Sequence, residues 1–113
     1  MNKLKLIVNN NFKYKEKFFV KNELKVILNL YAKKVSCGDW KDYSLSVNKK
    51  TISFDVYQRA SDMPIFRISK NLFPKTKVEK FYVIDKNGNI IKKSENLKNL
   101  INRTKWENLK LVE

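Results

Sequence analysis

Histidine is absent from this 113-residue chain, cysteine occurs once, and glycine and proline occur twice each. Each scarcity excludes something. Without histidine the commonest general base, the triad base and the commonest metal ligand are missing. Cys37 alone cannot close an intramolecular disulfide or build a cysteine-based zinc site, and it fits a reducing, cytoplasmic compartment. Gly38 and Gly88 lie too far apart to form a glycine-rich phosphate loop. Long apolar runs are also lacking. Leu6, Ile7 and Val8 form the longest unbroken apolar stretch near the start, too short for a signal-peptide apolar region. No window approaches the roughly 18 apolar residues of a membrane span. Acidic residues are few, 11 against 25 basic ones. Asp39, Asp42, Asp55 and Asp62 show no spacing that singles out a two-carboxylate mechanism. The expectation is therefore a protein without enzymatic activity, metal or cofactor.

What remains is a chain that can fold. Its length suits one domain, and 42% hydrophobic residues support a packed core. The formal net charge is +14, which draws in anions, with nucleic acid the usual partner. Lysine supplies 22 of the 25 basic positions and asparagine occurs 14 times. This composition is what an AT-rich genome would produce, so part of the basicity is explicable as codon bias on a solvated surface. The same bias makes Arg59, Arg67 and Arg103 informative. A guanidinium pairs bidentately with carboxylate or phosphate and stacks on aromatic faces, as an ammonium cannot.

The pattern predicts a basic segment over residues 1–17, disordered or forming an edge strand at Leu4–Val8, followed by a single α+β domain over 18–113. Asn22 is the predicted N-cap of a helix, with Glu23 in its first turn. Leu24, Ile27, Leu28, Tyr31 and Val35 form its apolar stripe, and Lys33, Lys34 and Gly38 suit its end. Tyr43, Leu45 and Val47 alternate with serines, and Ile52, Phe54 and Val56 alternate with polar residues, so both segments read as half-buried strands. A turn at Asn48–Thr51 pairs Tyr43 with Val56, Leu45 with Phe54 and Val47 with Ile52. It also sets Ser46 against Ser53, Ser44 against Asp55, Asp42 against Tyr57 and Trp40 against Arg59. After the Ala60–Pro64 loop, Phe66 and Ile68 meet Val56 and Phe54, which places Arg67 opposite Asp55 as a specific contact. A loop carrying Pro74 leads to a hairpin around Asn87-Gly88, whose register the pattern leaves open. Ser94 is the predicted N-cap of a last helix presenting Leu97, Leu100 and Ile101. Trp106, Leu109, Leu111 and Val112 close the chain as a packed tail. The expected fold is an N-terminal helix, an antiparallel meander of about five strands and a C-terminal helix, with the helices covering one sheet face.

The other, polar face is expected to carry Trp40, Asp42, Ser44, Asp55, Tyr57, Arg59, Arg67 and Ser69. Three readings stay open. In the first, Trp40 and Tyr57 stack on a ligand while Arg59 and Arg67 bind its phosphates or carboxylates, with Lys49 and Lys50 at the adjacent turn. In the second, the residues satisfy one another: Arg67 neutralises Asp55, Arg59 stacks on Trp40, and Tyr57 bonds Asp42. In the third, a terminal segment lies over the face.

Several stretches resemble a family of small bacterial proteins known as domain of unknown function 2794. They are Glu23-Leu24 with Ile27-Leu28-Asn29-Leu30-Tyr31, then Gly38-Asp39-Trp40-Lys41-Asp42-Tyr43. Phe54-Asp55-Val56-Tyr57-Gln58-Arg59-Ala60-Ser61 and Pro64-Ile65-Phe66-Arg67-Ile68 follow. The likeness covers roughly 18–112 and is specific mainly over 38–70. The resemblance implies a small, stand-alone cytoplasmic protein, and no activity, cofactor or partner. A double-stranded RNA-binding domain shares the helix–strands–helix order. However, Lys92-Lys93-Ser94-Glu95 lacks the alanine such a domain needs, and there are two strands too many.

The functional expectation is a basic, non-enzymatic binding module for an anionic partner, RNA or the ribosome, using Trp40, Tyr57, Arg59, Arg67, Lys49 and Lys50. The alternative is a protein–protein adaptor or small homodimer built on the polar sheet face or a strand edge. Neither involves a membrane.

Overall fold

The computed structural model describes residues 16–59 and 63–106. The expected strand at Leu4–Val8, Ala60 to Asp62 of the loop, and the closing Leu109, Leu111 and Val112 lie outside the described residues. Helix α1 (Lys21–Ser36) is followed by strands β1 (Asp42–Val47), β2 (Thr51–Tyr57) and β3 (Phe66–Asn71). A 3-10 turn (Lys77–Glu79) then leads to β4 (Phe81–Asp85), β5 (Ile90–Ser94) and helix α2 (Leu97–Arg103). The strands form one antiparallel meander in the order β1-β2-β3-β4-β5. The α+β architecture read from the pattern is the one observed.

The registers follow from alternation. Leu45 lies opposite Phe54, Val47 opposite Ile52 and Tyr43 opposite Val56. Phe54 in turn faces Ile68, and Asp55 faces Arg67. Each apolar residue therefore meets another on one face, as a half-buried sheet requires. Asn48 makes the first turn through its side chain. Its Oδ1 accepts the backbone N–H groups of Lys50 and Thr51, both at 2.8 Å.

The last hairpin has the register that the pattern left open. Phe81 pairs with Ser94, Tyr82 with Lys93, Val83 with Lys92 and Ile84 with Ile90, with an irregularity between Val83 and Ile84. The skipped Ile91 explains why simple alternation failed there. Gly88 takes φ +86° in the turn, a conformation glycine adopts without steric cost.

Two predicted caps move. Val20, not Asn22, precedes the first turn of α1; the Glu23 carboxylate reaches back to accept the Val20 N–H at 2.8 Å. Asn22 thus sits inside the helix. At α2 the cap is Asn96, whose Oδ1 accepts the Asn99 N–H at 2.9 Å. Ser94 ends β5 instead, and its hydroxyl oxygen accepts the Asn96 N–H. The end of α1 is as expected. Gly38, at φ +86°, donates to the Val35 carbonyl and Asp39 to the Lys34 carbonyl, which is the Schellman arrangement.

The core lies between the sheet and the two helices. Ile52, Phe54, Val56, Phe66, Ile68, Phe81 and Val83 of the sheet are buried with Ile27 of α1 and Leu97, Leu100 and Ile101 of α2. Aromatic rings fill the centre. Trp40 contacts Tyr31, Phe66 and Trp106, and Tyr43 stacks on Phe54 at 4.6 Å. The expected α1 stripe is wider than the covered surface: Leu28 and Val35 are exposed. Among the described residues no helix is long and apolar enough to cross a membrane.

Candidate functional site

The polar sheet face is not the open platform that alternation suggests. Trp40 leaves it altogether. Being only 2% exposed, it lies in the core, because the loop after Gly38 turns the indole under α1 before β1 begins. The pairing with Arg59 does not form as a strand register. At the centre of the face Ser53, Asp55 and Ser69 are buried. Asp55 is satisfied by hydroxyls: Ser53 donates to its Oδ1 and Ser46 to its Oδ2, both at 2.7 Å. Arg67 stands opposite Asp55, yet no ion pair links them among the described residues. The two serines supply what a guanidinium was expected to supply. Tyr57 bonds Ser44, at 2.9 Å, and not Asp42. Burial pushes the Tyr82 hydroxyl pKa up, opposed by its hydrogen bond with Ser69.

The residues expected to form one site are dispersed. Tyr57 and Arg67 are half-buried on the face away from the helices, while Arg59 is exposed beyond β2. Lys49 and Lys50 are exposed at the opposite end of β2. A strand of this length separates them from Tyr57 by about 20 Å.

A grouping of basic residues appears on the other side of the molecule. A cleft of about 630 Å³ opens between α1 and α2. Val26, Leu30, Ile101 and Trp106 give it apolar walls, and Lys25, Lys33, Lys34 and Lys98 bring four ammonium groups. Asn22, Asn29 and Asn102 add amides that both donate and accept. Among the described residues no carboxylate lines it. Lys34 is buried and pairs with Asp39 at 3.7 Å, which leaves Lys25, Lys33 and Lys98 as its exposed cations. A second hollow, beside Lys75, Lys77 and Lys80, includes Glu95 and is electrostatically weaker for an anion.

Helical geometry builds the cleft. Lys25, Asn29 and Lys33 recur at four-residue spacing along one flank of α1, with Val26 and Leu30 beside them toward the core. Lys98 and Asn102 repeat that spacing on α2. The Trp106 indole fixes the far end, its Nε1 donating to the Ile101 carbonyl at 3.1 Å. In a lysine-rich sequence these residues look like ordinary solvated surface. Only the packing of α2 against α1 makes them a group, so the sole sequence signal was the helical spacing itself.

One further charged cluster was missed. Lys70 is in phase with Phe66 and Ile68 and therefore points into the core, where it is 1% exposed. Its Nζ meets Glu23 Oε1 at 2.8 Å, Glu16 Oε1 at 2.6 Å and the Phe18 carbonyl at 3.1 Å. Every donor of the ammonium has a partner, so the cluster binds the start of α1 to the sheet.

No curated protein and no solved structure matches the chain. Residues 17–101 match the family described as protein of unknown function (DUF2794), and since they make up most of the sequence, the chain belongs to that family.

Proposed function

We propose that this protein is a non-enzymatic RNA-binding module whose contact surface is the cleft between α1 and α2. The observation that carries the reading is the lining of that cleft: lysines and asparagines around apolar walls, with no carboxylate among the described residues. Lysines neutralise phosphates and release counterions, amides address base edges, and the apolar walls receive base faces. The net charge of +14 supplies long-range attraction. A concave site suits a short single-stranded segment better than the convex backbone of a duplex. The sheet face loses its place in this reading because its centre is buried and Trp40 is in the core.

The test is fluorescence anisotropy with labelled single-stranded RNA, duplex RNA and duplex DNA across a salt series. Single-stranded RNA should bind most tightly and stay bound near physiological salt. The triple variant Lys25→Ala, Lys33→Ala, Lys98→Ala should weaken binding at least tenfold. It should also flatten the dependence of log K on log salt by about 2, the share of three phosphate contacts. Arg59→Ala tests the sheet-face alternative in the same assay. Equal binding of all three nucleic acids, unaffected by the triple variant, would reduce the attraction to non-specific charge and refute the proposal.

A further inference from the structure

Among the described residues the sheet has two edges, and they are built differently. At β5 the edge carries Lys92 and Lys93, and its pairing with β4 is interrupted by the irregularity after Val83. Charged residues and bulges are what proteins place on an edge to stop it pairing further. The β1 edge has no bulge, and its one charged residue, Asp42, stands at its start. Its 6 residues, Asp42–Val47, pair with β2 without interruption. They include no lysine, arginine or proline, in a chain with 22 lysines. The side chains on its helix-facing side are exposed: Tyr43 and Leu45 at 43%, Val47 at 59%.

Among the described residues no strand covers the backbone of this edge, and its Tyr43 N–H donates to the neighbouring Asp42 Oδ1 at 2.8 Å. Asn48 and Thr51 close the turn, with Asn48 N–H donating to the Thr51 carbonyl at 2.9 Å. Antiparallel strands alternate inward and outward backbone groups, so those of Tyr43, Leu45 and Val47 point away from β2. Beside them lies a flank of α1. Tyr31 touches Tyr43 with ring centroids 5.0 Å apart, and Leu28 and Val35, three residues before and four after Tyr31, share its flank and are exposed. An apolar surface therefore runs from the helix onto the strand edge, on the opposite flank of α1 from the lysine cleft.

We infer that this edge is an isologous dimer interface occupied by a second copy of the same chain. Antiparallel pairing of β1 with its copy sets Leu45 against its own counterpart on the two-fold axis. Tyr43 then meets Val47 of the second copy, and Ser44 meets Ser46. Both outward groups of Leu45, the Val47 N–H and the Tyr43 carbonyl then pair, and the Tyr43 N–H reaches the Val47 carbonyl of the second copy once Asp42 turns from it to the lysine turn. The charges also match. Each strand starts with Asp42 and runs into Lys49-Lys50, so antiparallel pairing brings the acid of one copy to the basic turn of the other, twice. An axis perpendicular to the sheet keeps both α1 helices on one face, and their Leu28 and Val35 flanks meet across it. The local charge favours this contact even though the whole chain is strongly cationic, because β1 itself carries only Asp42. The inference is independent of the RNA reading, since the cleft lies on the other flank of α1.

Sedimentation equilibrium of the full chain at about 0.15 M salt, over concentrations from micromolar to about 1 mM, tests it. A dimer is expected. Leu45→Lys and Val47→Lys each guard the edge with a charge at a position already exposed in the single chain. Each should yield a monomer whose far-ultraviolet circular dichroism matches wild type. Asp42→Lys should weaken the dimer at least tenfold. A wild-type monomer throughout the concentration range would overturn the inference. So would a dimer that persists in both Leu45→Lys and Val47→Lys.

Discussion

A lysine ammonium removed from water costs several kcal/mol unless close partners replace its hydration. Lys70 meets that condition through Glu23, Glu16 and the Phe18 carbonyl. Substituting Lys70→Met keeps the side-chain length but leaves the largely buried Glu23 facing an apolar group. The expected loss is about 3 kcal/mol in denaturant unfolding, at the lower end of broken buried pairs because Glu16 is half in solvent. The hydrogen bond from Lys70 holds the Glu16 carboxyl below its ordinary value of 4.5, against the opposing effect of burial. A folded value below the unfolded one means that the contact stabilises fully above about pH 4.5 and fades as pH falls through the depressed folded value. Glu16→Gln should therefore be less stable than wild type at neutral pH, with the gap closing below pH 4.5. A constant gap across that range would contradict the linkage. Trp40 gives a second prediction at this scale. Its ring contacts Phe66 and Trp106, so Trp40→Ala should cost about 3–5 kcal/mol and compromise the fold rather than a binding surface.

At the scale of elements, local chemistry decides where each segment begins and ends. Gly38→Ala isolates one such decision. A Cβ there would meet nothing within 4 Å, so any cost comes from the φ of +86° alone. About 1–2 kcal/mol is expected, readable as a lowered denaturation midpoint with an unchanged slope. The strands β1 to β3 were legible because strict alternation on both partners allows only one register, down to Asp55 opposite Arg67. The last hairpin was not, because Ile91 breaks the period. The caps of both helices were displaced for a shared reason. Several residues near each start could cap, and the choice between Asn22 and Val20, or Ser94 and Asn96, depends on where tertiary packing sets the first turn. Lys70 and Trp40 escaped the pattern for different reasons. Lys70 is in phase with Phe66 and Ile68, but the partners that make its burial possible, Glu16, Phe18 and Glu23, come from a distant part of the chain. Trp40 lies before the strand begins, so the alternation extended to it did not apply.

At the scale of the whole molecule, function is harder to read than fold. The six residues proposed from sequence share composition rather than position, and the structure scatters them. The cleft between α1 and α2 brings together residues from separate ends of the chain, a juxtaposition no single window contains. The meander has a different consequence. Every described strand hydrogen-bonds the described strand next to it in sequence, so the sheet closes through local connections at modest entropic cost. The helices pack across longer stretches of chain: Glu23, at the start of α1, reaches Lys70 across 47 positions. The expected order of folding is the sheet first, by local steps, with α1 docking and burying Lys70 late. Loss of that ion pair should then speed the opening of the domain and leave the rate at which the sheet forms almost unchanged, as the two arms of a chevron plot would show.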